Sequence, residues 1–309
     1  MNKNLLICIP CFNEYSILPQ SHAKLTSYLK KLDIKNILLS IDILYVDDGS
    51  NDNTWNIVKD LTSKDITSDI RVSGLKLSKN FGKDSAIFFG IKDKIFDAYL
   101  IIDADNEHPF NLIPEIIKHW LVDNFEIVEC VRFNTHSFFN NLKTKIYINS
   151  LKYLAGLKIS SNNITDFKLI DKKVYDHIFS TFISPRYWKL VTISLKFKHK
   201  ILFFKYLKND KKIKSSFNFF SLFKLYLEHI FYFSIRGFSI LFFLLFLVFI
   251  ITVTFMYFDF YKISFFLIFF IFIFSYFFYF LLSKFHKKNL YKENEENFIK
   301  IGHLYNNTN

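Results

Sequence analysis

Short, largely apolar runs recur along the first half of the chain, and each stops at a polar or charged cluster. Leu5–Pro10 leads to Asn13-Glu14, Ile41–Val46 to Asp47-Asp48-Gly49-Ser50, Tyr99–Ile102 to Asp103-Ala104-Asp105, and Glu126–Val131 to Arg132. A short continuous apolar run marks a strand covered on both faces, as in a parallel sheet. A further strand is predicted over about 71–77. Helical patterns fill the gaps at about 17–31, 52–61, 83–96 and 111–121, with Asn51 or Asp52 capping the second. Strands alternating with helices predict an open, mainly parallel α/β sheet. Ligands of such sheets bind beyond the carboxyl ends of the strands, where four of these strands carry their polar groups.

Asp103 and Asp105 are the central signal. Two carboxylates at i and i+2 after an apolar strand can converge on one hard cation, Mg²⁺ or Mn²⁺, with a pyrophosphate completing its shell. Such an ion would neutralise a departing diphosphate. Asp47 or Asp48 can accept hydrogen bonds from a base or ribose, although Asp-Asp-Gly-Ser also reads as a tight turn. Leu77–Lys83 can bring amide groups and the Lys83 ammonium to a diphosphate near a helix start.

The second half has a different composition. Residues 142–157 read as helix and 162–170 as a loop entering a short strand. From Lys205 to Lys224 the chain is basic and aromatic, with only Asp210 opposing the lysines, and 217–235 suits an amphipathic helix at a membrane surface. Gly237–Phe258 and Ile263–Ser283 contain no charged residue, and each is long enough as a helix to cross a hydrocarbon core. Lysines outside the two runs predict a transmembrane hairpin with both ends cytoplasmic. The formal net charge of +12 suits an anionic partner. Three cysteines, Cys8, Cys11 and Cys130, give no disulfide framework, and Cys8-x-x-Cys11 lies at a strand end rather than a helix start, against a redox role. The N-terminus runs straight into a short strand and does not read as a signal peptide.

The ordered set Ile9-Pro10-Cys11-Phe12-Asn13-Glu14, Val46–Asp52, Leu77–Ala86 and Ile102–Pro109 resembles family 2 glycosyltransferases of the GT-A fold, in particular the polyprenyl-phosphate branch of bactoprenol glucosyltransferases and dolichyl-phosphate mannosyltransferases. Thr165–Ile170 resembles that branch's G-D-F-R-L-M segment, and a C-terminal two-helix membrane hairpin is typical of it. The resemblance implies that Pro10, Asn13, Glu14, Asp47, Asp48 and Lys83 hold the nucleotide-sugar. Asp103 would contact the donor and Asp105 would ligate the metal. Arg132 would meet phosphate, and Asp166 and Lys168 would face sugar and acceptor. Asn106 and Glu107 stand where the branch has an apolar residue and Gln, Thr165 where it has Gly, and Lys168 where it has Arg. The later basic motif is degenerate, so Lys208, Lys211, Lys212 and Lys214 would take over the acceptor phosphate.

Together these readings predict a GT-A, Rossmann-like domain over 1–204, a basic juxtamembrane segment over 205–236, a transmembrane hairpin over 237–283 and a cytoplasmic tail over 284–309. The expected activity is inverting transfer of a hexose, UDP-glucose being the type donor, to undecaprenyl or another polyprenyl phosphate at the cytoplasmic face of a bacterial inner membrane. Asp103, Asp105, Asp166 and Arg132 form the expected catalytic set. The expected partners are nucleotide-sugar, lipid phosphate and membrane; no nucleic acid is expected, and a homo-oligomer is compatible. The alternatives are a glycosyltransferase with a non-phosphate lipid or polysaccharide acceptor, and a non-catalytic assembly protein.

Overall fold

A computed structural model describes residues 3–32, 39–63, 70–132, 166–180, 197–204 and 300–305, with isolated positions at 149, 152, 153, 248 and 251. The chain divides into two units. One comprises Met1–Phe138, Ile159–Ile213 and Phe298–Asn309; the other comprises Phe139–Lys158 and Lys214–Asn297. The second unit contains only the isolated positions. All the architecture below belongs to the first.

Its strands are β1 (Lys3–Cys11), β2 (Leu39–Asp47), β3 (Ile70–Leu77), β4 (Ala98–Ile101), β5 (Ile127–Arg132), β6 (Lys168–Asp171), β7 (His199–Phe204) and β8 (Lys300–Tyr305). They form one sheet in the order β7-β5-β6-β4-β1-β2-β3-β8. β4, β1, β2 and β3 are parallel neighbours. β6 runs antiparallel between β4 and β5, β7 is parallel to β5, and β8 is antiparallel to β3. The expected open, mainly parallel sheet is therefore present, with two antiparallel insertions.

The central strand explains its own sequence. Every residue of β1 from Leu5 to Cys11 is buried, because helices cover both faces and no polar face is needed. The helices are α1 (Leu18–Lys31), α2 (Thr54–Thr62), α3 (Lys83–Ile91), α4 (Ile113–Leu121) and α5 (Lys172–Ser180). α1 buries Leu18, Leu25 and Leu29 into the core around Leu5, Ile7, Ile43 and Val72. α3 packs on β1 and β2 through Gly90, where an added Cβ would come within 2.6 Å of the Val46 side chain. α3 stops at Ile91, short of the expected 96, because Lys92 turns to extended backbone and Asp93 adopts a positive φ of 63°.

One correction concerns the second half. Among the described residues no helix is long and apolar enough to cross a membrane. The longest, α1, has 14 residues, or about 21 Å at the helical rise, against a hydrocarbon core of about 30 Å. The expected transmembrane hairpin over 237–258 and 263–283 is corrected to a fold without such a helix among the described residues. With it go the two-span inner-membrane placement and the membrane partner. The two apolar runs, the helix expected over 142–157 and the segment 205–236 lie outside the described residues, apart from the isolated positions. Within the expected tail, Lys300–Tyr305 joins the sheet as β8.

Candidate active site

The parallel register brings three strand ends together. The Asp48 N–H donates to the Cys11 carbonyl at 2.9 Å and the Ile102 N–H to the Cys8 carbonyl at 3.1 Å. β1, β2 and β4 thus deliver Asn13-Glu14, Asp47-Asp48 and Asp103-Asp105 to one end of the sheet.

Pro10 is buried in β1 opposite Val46. Asn13 takes a positive φ of 58°, donates its N–H to Ser50 Oγ at 3.0 Å and accepts the Asn51 N–H at 3.0 Å. That exchange ties the loops after β1 and β2. Asp47, fully buried, accepts the Ser50 N–H at 2.9 Å and faces Lys76 Nζ at 3.9 Å. Asp48 accepts the Phe81 and Gly82 N–H groups, one on each oxygen, at 2.8 and 2.9 Å. Asp47 thus closes the Asp-Asp-Gly-Ser turn, and Asp48 pins the loop that opens α3. Gly49, at φ 68°, allows this approach, because a Cβ there would collide with the Lys79 backbone.

At the α3 start, Lys83 Nζ lies 2.5 Å from Asp103 Oδ1 and 2.8 Å from Asp166 Oδ2. Burial alone would lower the Lys83 pKa, but Asp166 and Asp103 outweigh it and hold the ammonium charged. Lys83 therefore joins the carboxylate after β4 to the one before β6. Behind Asp103, the buried His108 Nδ1 accepts the Asp103 N–H at 3.0 Å, and its Nε2 lies 3.6 Å from Asp103 Oδ2. Burial pushes the His108 pKa down.

The remaining carboxylates crowd one another. Asp105 accepts the Glu107 N–H at 3.0 Å, yet burial, with Asp103 and Glu107 nearby, raises its pKa to about 6. Glu14 is raised to about 7 by burial and then by Asp105, Asp52 and Asp103. Among the described residues no three His, Cys, Asp or Glu side chains are preassembled as a metal cage. The oxygen donors of Asp103 and Asp105 still fit a hard cation whose other ligands come from a diphosphate and water.

One expected residue lies elsewhere. Lys168 is fully buried, its Nζ 3.7 Å from Glu129 Oε1, with His199 Nε2 3.4 Å from Glu129 Oε2. Its ammonium therefore faces a buried carboxylate and not an open acceptor surface. Arg132 ends β5, but its side chain, like Lys208, Lys211, Lys212 and Lys214, lies outside the described residues. Sequence reasoning did not single out Glu129 or the role of His108. The signal for Glu129 was an acid inside an otherwise apolar strand.

Residues 6–179, more than half of the chain, match the family described as Glycosyl transferase family 2. The chain is 26% identical to the glycosyltransferase CsbB of Bacillus subtilis (strain 168), over 78% of this chain and 70% of that protein. It is 28% identical to the bactoprenol glucosyl transferase of Shigella phage SfX, over 56% of this chain and 53% of the relative, about half its length. Among solved structures, glucosyl-3-phosphoglycerate synthase from Mycobacterium tuberculosis, in complex with Mn²⁺, UDP and its product, is similar at a TM-score of 0.45 and 14% identity. That likeness covers 68% of this chain and 74% of that one; at such a TM-score it carries no argument about this site. With the acidic strand ends in place on a GT-A sheet, the chain belongs to glycosyl transferase family 2 and is a glycosyltransferase.

Proposed function

We propose that the chain transfers a hexosyl unit from a nucleotide-sugar to a hydroxyl of a glycan or a non-phosphate lipid. The observation that carries the reading is the Asp103–Lys83–Asp166 bridge beside the crowded carboxylates Glu14 and Asp105. Such a site suits a donor that brings its own cation and diphosphate. Asp103 and Asp105 would hold Mg²⁺ or Mn²⁺, which when bound neutralises the leaving diphosphate.

The acceptor hydroxyl attacks the anomeric carbon in line, the bond to the diphosphate breaks, and the configuration inverts. Unlike a phosphate, a hydroxyl must lose a proton as it attacks, so a base is needed. Asp166 is the carboxylate for that proton, and Lys83, 2.8 Å from its Oδ2, aims it until the acceptor arrives. One observation favours this acceptor over the polyprenyl phosphate expected from the sequence. Lys168, assigned to its phosphate, is buried against Glu129.

The test is to incubate the purified full-length chain with UDP- and GDP-sugars, Mn²⁺ or Mg²⁺, and a panel of hydroxyl acceptors. Asp105→Asn should lower turnover at least a hundredfold while the melting temperature in the absence of nucleotide does not fall. Asp166→Asn should abolish transfer yet leave donor binding intact. Transfer to a lipid phosphate alone would overturn the acceptor assignment, and full activity of Asp105→Asn in EDTA would overturn the metal.

A further inference from the structure

We propose that His108 is a positioning residue that fixes Asp103 through the Asp103 backbone N–H, as a neutral imidazole with its proton on Nε2. The proposal rests on the reading of Asp103 as a donor-site carboxylate.

The tautomer follows from the hydrogen bond. A backbone N–H can only donate, so the Nδ1 that it reaches at 3.0 Å presents a lone pair. The ring proton of the neutral form must then sit on Nε2, the nitrogen 3.6 Å from Asp103 Oδ2. One ring therefore meets the same residue at two points, its amide and its carboxylate. The amide bond sets where the chain leaves β4; Nε2, at 3.6 Å, turns a polar edge to the carboxylate without a hydrogen bond.

The ring is itself held. It stacks on Phe167 with centroids 4.6 Å apart and planes 11° from parallel, and it meets the edge of Phe204 at 6.4 Å and 81°. Phe167 directly follows Asp166. The stack therefore couples the loop after β4 to the segment entering β6. Lys83 joins the Asp103 and Asp166 carboxylates by charge, while His108 and Phe167 join their backbones by packing. Two independent ties between one pair of residues preset their separation before substrate arrives, and small misplacements of reacting groups are costly.

Asn tests the geometry, because its side-chain oxygen can replace the Nδ1 acceptor without a ring. In the full-length chain without nucleotide or metal, amide hydrogen exchange of the peptide containing Asp103 should quicken at least tenfold in His108→Ala and stay near wild type in His108→Asn. With saturating nucleotide-sugar, His108→Ala should lower kcat at least tenfold with less than a threefold change in donor KM, and His108→Asn should recover most of that loss. Unchanged exchange in His108→Ala overturns the proposal. So does an unchanged kcat, or a defect that Asn fails to rescue while both variants melt alike. If the wild-type chain turns over no nucleotide-sugar, the donor-site reading fails, and the exchange experiment still decides the His108 bond.

Discussion

At the scale of single residues, the site is an acidic cluster waiting for a counter-charge. Glu14 has its pKa raised from the ordinary 4.5 to about 7, and Asp105 from 3.8 to about 6, both by burial first and neighbouring carboxylates second. The folded state thus binds protons that the unfolded chain has already released. That contribution costs nothing below the unfolded pKa and becomes destabilising as pH climbs to the folded one. Glu14→Gln should therefore gain stability over the wild type as pH rises from about 4.5 to about 7, and the two should converge below that window. Melting curves across pH in metal-free buffer check this; a difference that shrinks with rising pH would show that Glu14 is not held by the cluster. Asp103 and Asp105 were legible in the sequence because their spacing is local, two residues apart at a strand end. The partners that decide their behaviour were not. Lys83 and Asp166 reach Asp103 only through the fold, and His108 was visible only as one letter of a motif.

At the scale of elements, the parallel strands announced themselves as continuous apolar runs, since burial on both faces leaves no alternation to read. Helix ends were less legible: the fourth helix opens as a 3-10 turn, Phe110–Leu112, before Ile113. What the runs could not show is which buried charge meets which. Glu129 in β5 faces Lys168 across the strand pair, and His199 of β7 approaches from the other side. That register fixes Lys168 inward, whereas its sequence neighbours Asp166 and Phe167 meet Lys83 and His108. Removing one partner of a buried ion pair leaves an uncompensated charge, at a cost of about 3–5 kcal/mol. Glu129→Leu should lose stability in that range by urea unfolding, and Glu129→Leu with Lys168→Met should recover most of it. A double variant as unstable as the sum of the singles would mean that the two charges do not interact.

At the scale of the whole molecule, the least legible feature is β8. Its six residues, Lys-Ile-Gly-His-Leu-Tyr, read as the end of a polar tail, yet they pair with Ser73 to Leu77. No local pattern could have named β3 as their partner. The pairing should matter to solution behaviour: a chain ending at 297 should keep its secondary structure yet self-associate, as light scattering would show, and Lys substitutions along β3 should suppress the association. A truncated chain that remained as soluble as the full one would mean that β8 does not protect the edge. The same pairing bears on how the protein is made. During synthesis, the parallel core can assemble once β4 has emerged, but the outer backbone groups of β3 lack β8 until residues 300–305 leave the ribosome. For all that interval the nascent chain carries an open β template, the kind of surface on which neighbouring nascent chains pair with one another. Of the described strands β8 is made last, so the outer edge of β3 is the last part of this sheet to be covered.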